Sequence, residues 1–123
     1  MRHYERKYIS KQMRQRVEQK YNGKCAYCGE TPNRIVIDHL IPHSYNQDDS
    51  FENLMPSCKA CNNYKMTWFI EEFRKEIERS IEKLRKYSVN YRFAEKYGLV
   101  ESNIQRVKFY FENYNNSGEC NDS

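Results

Sequence analysis

The sequence predicts an α+β fold with a small core, in which a pair of short strands lies between an N-terminal helix and a long C-terminal helix. Three patterns predict it: a β-branched run at residues 34–37, an apolar stripe at helical spacing over 67–87, and two identical Cys-x-x-Cys turns. The chain has 123 residues, of which 38% are hydrophobic, and its mean hydropathy is -1.07. We therefore expect one domain, or a compact module with an added arm, whose core needs support beyond burial.

Helical patterns lie on both sides of the middle segment. Over residues 8–21, Ile9, Met13 and Val17 recur at intervals of four, and the Asn-Gly pair that follows predicts the end of this helix. Residues 67–87 form the strongest helical pattern, because apolar side chains recur there every three or four positions. These side chains are Ile70, Phe73, Ile77, Ile81 and Leu84.

The middle of the chain combines strands with a polar loop. The run at 34–37 predicts a strand that ends at His39, and residues 54–57 predict a second short strand that its proline confines to a sheet edge. Residues 42–53 between them form a polar loop. A further helix should begin near Ala60.

The C-terminal part gives weaker signals. Residues 91–97 predict a short helix that Gly98 ends. The aromatic content of residues 107–112 favours a strand, although a helix also fits, and the polar composition from Asn115 predicts disorder. The expected divisions are a basic helical segment at 1–24, a core at 25–66, a helical extension at 67–114 and a disordered tail at 115–123.

The net charge of +4 is concentrated near the N-terminus. Residues 1–24 carry eight Lys and Arg side chains against two Glu side chains. Such a segment can contact phosphates or can simply form a solvated helix face, and charge alone favours neither. If the segment binds nucleic acid, the candidate side chains are Arg14, Arg16, Lys20 and Lys24.

The cysteines predict a metal site. The N-terminus lacks the pattern of a signal peptide and no apolar run reaches the length of a bilayer-spanning helix, which predicts a cytoplasmic protein that does not enter membranes. In that compartment paired cysteines favour zinc over disulfides. Four thiolates leave no open coordination position, so the expected zinc is structural. Its ligands would be Cys25, Cys28, Cys58 and Cys61, while Cys120 lies in the polar tail and is expected to be free.

Three motifs between and after these turns resemble the HNH endonuclease family in its Cys₄ form. The chain reads IDHLIP from residue 37, NL from residue 53 and CNNYK from residue 61. The resemblance spans about residues 21–68 and is specific through the combination of motifs. It implies a ββα-metal fold and a divalent-metal-dependent endonuclease that acts on double-stranded DNA and leaves 5′-phosphate and 3′-hydroxyl ends. It also implies that the enzyme is of phage, mobile-element or defence type, with a nickase as one possible form. Protein partners would then belong to a phage or defence complex.

The resemblance assigns a role to each motif residue. Asp38 and Asn62 would bind the catalytic cation, with Asn62 in the place where many members have His. His39 would be the general base, and Asn53 would hold His39 and the strand end in position. Lys65 is a further candidate on the basis of its charge, which suits a position near the phosphates of DNA, although a solvated position fits it equally well.

These residue types suit phosphodiester hydrolysis. Negative charge builds on the phosphate and on the departing 3′ oxygen, where a hard dication stabilises it. Two oxygen ligands favour Mg²⁺ or Mn²⁺ over zinc. Histidine accepts a proton near neutral pH. A second histidine, His43, lies in the loop four residues after His39. It could contact the phosphate or assist the base, but a loop histidine is more often exposed to solvent, and this is what we expect for His43.

Two other functional classes remain open from the sequence. The first is a non-catalytic Cys₄ zinc module that binds nucleic acid through residues 1–24. The second is a degenerate HNH unit that serves as a subunit of a larger complex. Neither requires Asp38, His39, Asn53 and Asn62 together, which ranks both below a catalytic nuclease. Metal-dependent nicking of a plasmid by the pure protein separates the nuclease from the other two.

The cysteine pattern generates the first prediction. Changing Cys58→Ser should yield unfolded or insoluble protein that lacks zinc, because the free energy of metal binding in such a site is folding free energy. The measurement is zinc content together with thermal unfolding. Cys120→Ser is the control and should retain one zinc and an unchanged melting temperature. A zinc-free Cys58→Ser protein that melts like the wild type would refute the structural role of zinc.

Overall fold

The computed structural model describes residues 9–114, and these fall into two compact units. The first unit comprises the described residues up to 70 together with those from 108, and the second comprises Glu71–Val107. The tail for which we predicted disorder, 115–123, lies outside the described residues. The α+β prediction is confirmed, since a two-stranded antiparallel sheet is combined with seven α-helices in this part of the chain.

The sheet lies in the first unit and carries the motif residues. Strand β1 is Val36–His39 and strand β2 is Leu54–Ser57, with His39 paired opposite Leu54. Strand β2 has the predicted bounds, whereas β1 begins two residues later than expected and includes Asp38 and His39. Pro56 is tolerated in β2 because a two-stranded sheet consists only of edge strands. Its carbonyl oxygen accepts a hydrogen bond of 2.8 Å from the Ala26 amide of the first cysteine turn.

The N-terminal helix, α1, is shorter than predicted. It spans Lys11–Glu18, and the hydroxyl of Ser10 caps it by accepting a bond of 3.0 Å from the Met13 amide. A 3₁₀ turn at Lys20–Gly23 then ends the helical segment near the predicted Asn-Gly pair. Val17 anchors α1, since it is completely buried.

Three more helices complete the first unit. The loop expected at 42–53 contains a short helix, α2, at His43–Asn46, and helix α3 spans Lys59–Lys65 close to its predicted start. The strand interpretation of residues 107–112 is wrong, because Tyr110–Asn113 forms a short helix, which we number α7. The Glu112 side chain caps this helix by accepting from the Phe109 amide at 2.9 Å. The amides of Tyr110 and Phe111 belong to the first helical turn, where the helix itself offers no acceptor, and they donate to the carbonyls of Tyr27 and Ala26 at 3.0 and 2.8 Å.

The second unit is helical. Helix α4 spans Ile70–Glu78, α5 spans Ser80–Tyr87 and α6 spans Val89–Lys96. The single long helix expected over 67–87 therefore starts later and is interrupted at Arg79, where ψ rises to 0°. Gly98, with φ of 76°, follows the end of α6 as predicted. An ion pair of 2.8 Å between Arg85 and Glu95 joins α5 to α6.

Gly29 generates a prediction about the first unit. It has φ of 80°, and a Cβ at this position would lie 2.8 Å from Cδ1 of Tyr110. Gly29→Ala should therefore lower the free energy of unfolding by more than the ~1–2 kcal/mol expected of a left-handed backbone alone. Gly23→Ala is the matched control, since Gly23 has φ of 74° but no heavy atom beyond its chain neighbours within 4 Å of the added carbon. Equal losses in urea unfolding for the two variants would show that Tyr110 does not constrain this turn.

Candidate functional site

Four cysteine sulfurs form a cluster positioned for zinc. The ligand atoms of Cys25, Cys28, Cys58 and Cys61 all lie within 4.8 Å of one another. The Cys25 amide donates to Glu30 at 2.8 Å to close the first turn. In the second turn the sulfur of Cys58 accepts from the Cys61 amide at 3.4 Å, so that Cys58 also caps helix α3. The paired turns therefore converge as the spacing predicts, on the side of β2 and α3.

The electrostatics of the cluster fit a dication. A hydrogen bond from Cys61 lowers the pKa of Cys25 to about 4, and the same contact raises the pKa of Cys61 far above its usual range. Burial raises the pKa of Cys28 to about 11. Four sulfurs so close together cannot all ionise without a cation, and a tetrathiolate set is the one that structural Zn²⁺ prefers.

The buried carboxylate of Asp38, near the end of β1, is the centre of the second cluster. Its side chain accepts from the Tyr27 hydroxyl at 2.5 Å and from the Asn62 amide at 3.1 Å. The Lys65 ammonium lies 3.1 Å from the same oxygen that Tyr27 contacts. Burial first, and then the negative charge of Asp38, raise the pKa of Tyr27. The structure thus brings together the two residues expected to bind the catalytic cation.

Lys65 does not lie where the sequence suggested. We expected it near DNA phosphates or in solvent, but its side chain is completely buried. Besides pairing with Asp38, its ammonium donates to the backbone carbonyl of His39 at 2.9 Å. The side chain therefore joins helix α3 to strand β1 beneath the site and is not exposed to a phosphate.

Asn53 forms hydrogen bonds across the loop that follows β1. Its amide oxygen accepts from the Ile41 backbone at 2.8 Å, and its amide nitrogen donates to the carbonyls of Ile41 and Asp48 at 3.1 and 2.9 Å. The backbone carbonyl of Asn53 also accepts from Leu40 at 2.9 Å. These bonds fix the chain that leaves β1 directly after His39.

His39 has two neighbours whose importance the sequence did not show. Its Nε2 lies 2.7 Å from a carboxylate oxygen of Asp49, and the centroid of its ring lies 5.0 Å from that of His43. His43, expected in solvent, is only 7% exposed. The sole sequence signal was Pro42, which directly precedes helix α2 as its N-cap and so places His43 in the first turn. Nothing in the sequence singled out Asp49 in its polar loop.

The basic side chains of the N-terminal segment make intramolecular contacts. The ammonium of Lys20 donates to the carbonyls of Phe51 and Leu54 at 2.5 and 2.7 Å, and burial lowers the pKa of Lys20. The guanidinium of Arg16 lies 4.3 Å from the centroid of the Phe51 ring. Lys20 therefore holds the 3₁₀ turn that follows α1 against Phe51 and the first residue of β2, which is a structural role for a side chain expected at DNA.

Arg14 and Lys24 make their side-chain contacts with partly exposed groups. Arg14 pairs with Glu18 at 3.2 Å, and its side chain is 41% exposed. Lys24 contacts the hydroxyl of Thr31 at 3.2 Å. A groove of about 450 Å³ beside Arg14 is also lined by Arg34. The charge pattern alone could not distinguish these side chains from Lys20.

Comparison with known proteins identifies the segment that holds both clusters. Residues 25–67 match the family model for HNH endonuclease, which confirms the resemblance over about a third of the chain and indicates nuclease activity in general. No curated protein and no solved structure matches the chain. Among the described residues, 9–114, no helix is long and apolar enough to cross a membrane.

The buried Lys65 generates a stability prediction. Lys65→Met should lower the free energy of unfolding by about 3–5 kcal/mol, because Asp38 would keep a buried charge without its cation. Urea unfolding is the measurement. Lys59→Met, at an exposed position of the same helix, is the control and should change stability by less than about 0.5 kcal/mol. Similar stabilities for the two variants would show that the ion pair does not hold α3 to β1.

Proposed function

We propose that the chain is a divalent-metal-dependent HNH endonuclease that hydrolyses phosphodiester bonds of double-stranded DNA, with 5′-phosphate and 3′-hydroxyl ends as products. The observation that carries the proposal is the adjacency of Asp38 and Asn62, at 3.1 Å, within the segment that matches the family. His39, next to Asp38 on β1, completes the set. Nothing in a binding module requires these three side chains together.

Asp38 and Asn62 fit a hard dication. One carboxylate oxygen of Asp38 is engaged by Tyr27 and Lys65, while the other faces the amide of Asn62. Turning this amide end for end places its oxygen beside the carboxylate, and the two orientations differ only in the assignment of O and N. Two oxygen donors suit Mg²⁺ or Mn²⁺. Such an ion, when bound, stabilises negative charge on the phosphate and on the leaving oxygen.

His39 is the proposed general base. Since the carboxylate of Asp49 can only accept, Nε2 of His39 donates to it, and the lone pair of the neutral ring is on Nδ1. Nδ1 then takes the proton from the attacking water, and the negative charge of Asp49 stabilises the imidazolium that forms. The bonds of Asn53 to the chain after β1 limit movement of the base during this transfer.

Contacts with the DNA backbone are proposed for Arg14 and Lys24. Both have exposed side-chain surface. The ammonium groups of Lys20 and Lys65 instead donate hydrogen bonds to backbone carbonyls inside the protein. Arg16 is exposed on α1 and can contribute beside its ring contact. Such contacts give affinity without sequence preference.

The active-site assignment generates two variants to test. His39→Ala should lower the rate of plasmid nicking in Mg²⁺ by about 10²–10⁴-fold, because a general base acts chiefly in the transition state. Asn62→Ala should raise the Mg²⁺ or Mn²⁺ concentration needed for half-maximal nicking, because it removes one of two ligands. The measurement is a metal titration of the nicking rate, with EDTA to establish the metal requirement.

Asn63→Ala provides the matched control for Asn62→Ala. Asn63 is exposed on the same helix, so its variant should titrate like the wild type. Zinc content and thermal unfolding of every variant report whether the fold is retained. A His39→Ala protein that nicks at the wild-type rate would exclude His39 as the base, and absence of metal-dependent nicking by the wild type would favour the binding module.

A further inference from the structure

A third group of potential metal ligands lies beside the proposed active site. His39, His43 and Asp49 each offer one ligand atom, and the three atoms lie within 4.8 Å of one another. One oxygen of Asp49 is 2.7 Å from Nε2 of His39 and 3.8 Å from Nε2 of His43. Neither the cysteine cluster nor the pair formed by Asp38 and Asn62 uses His43 or Asp49.

The fold builds this group from two ordered segments. His39 ends β1 and His43 begins α2, and both imidazole side chains are at least nine-tenths buried, with 9% and 6% of their surface exposed. Asn53 ties the intervening chain to the loop that carries Asp49 through its bonds to Ile41 and Asp48. The Asp49 side chain is 24% exposed, which leaves access for an ion from solvent. The ligands are thus held before any ion arrives.

We propose that Nε2 of His39, Nε2 of His43 and a carboxylate oxygen of Asp49 form a site for a transition-metal dication such as Zn²⁺, and that an ion there switches the nuclease off. Two imidazoles and one carboxylate are a common set for zinc with open positions left for water. Mg²⁺ prefers oxygen ligands and near-ideal octahedral geometry, so it does not compete well for two imidazole nitrogens. The site therefore separates an inhibitory metal from the activating one.

The inhibition follows from the two nitrogens of one ring. Without the ion, Nε2 of His39 carries the proton and donates it to Asp49, which leaves the lone pair on Nδ1. An ion on Nε2 displaces that proton, and the neutral ring then carries its proton on Nδ1, where it cannot accept another. This part of the inference rests on His39 being the base of the proposed nuclease, whereas binding of the ion does not.

The binding test is zinc stoichiometry. Protein with its cysteine site already filled is dialysed against increasing Zn²⁺, and the bound zinc per chain is counted. The wild type should take up a second zinc. His43→Phe, which keeps the aromatic ring, and Asp49→Asn should each bind that zinc at least about a hundredfold more weakly, since loss of a direct ligand exceeds the 10–100-fold cost of changing an outer partner.

Asp48→Asn is the matched control, because it neutralises the neighbouring carboxylate of the same loop. Asp48 caps the Ser50 amide at 2.9 Å, a bond that Asn can also accept, so this variant should keep the second zinc. A wild type that takes up a single zinc would overturn the site. So would full retention of the second zinc by both His43→Phe and Asp49→Asn.

The switch is tested by nicking in Mg²⁺ during the same zinc titration. The zinc concentration that halves the wild-type nicking rate should equal the concentration at which half of the chains hold the second zinc. The His43→Phe variant should continue to nick at zinc concentrations that inhibit the wild type. Undiminished nicking at full occupancy would overturn the switch. A wild type that never nicks, yet takes up a second zinc that His43→Phe loses, would support the site and refute the proposed nuclease, so the two failures are distinguishable.

Discussion

The first unit depends on the convergence of four cysteine sulfurs. Its strands have four residues each and helix α3 has seven, lengths at which neither a hairpin nor a helix is stable alone in water. The first turn bonds to β2 through the Ala26 amide, and the second supplies Cys58 as the cap of α3. A single ion shared by both turns would therefore fix the strand, the helix and the loop between them. Without it, the thin apolar core would have to offset the entropy of ordering all three.

Features that follow local rules were readable from the sequence. The bounds of β2, the start of α3 and the stop after α6 at Gly98 each depend on a few neighbouring residues. The cysteine turns are distant in sequence, but their matched Cys-x-x-Cys motifs indicate a shared metal. The adjacency of Asp38 and Asn62 came instead from a family resemblance. Spacing alone would not have brought together two side chains that are 24 positions apart.

The failures share a different cause, which is contact between distant segments. Lys65 and Asp49 are charged, and charged residues usually lie at the surface, so composition could not predict that one is buried under β1 and the other is held against His39. The aromatic residues before Asn113 have strand propensity, but their amides bond to the first cysteine turn and the chain coils there. The break between helices α4 and α5 at Arg79 could not be predicted, because no Gly or Pro lies there.

The complete burial of Lys65 makes its amine a reporter of motion. An amine with no exposed surface cannot react with acylating reagents while α3 stays on β1, whereas surface lysines such as Lys59 react freely. Acylation of Lys65 thus requires a local opening that breaks its bonds to Asp38 and to the His39 carbonyl. Its labelling rate in the native protein is consequently a direct measure of how often the helix and the strand beneath the site separate.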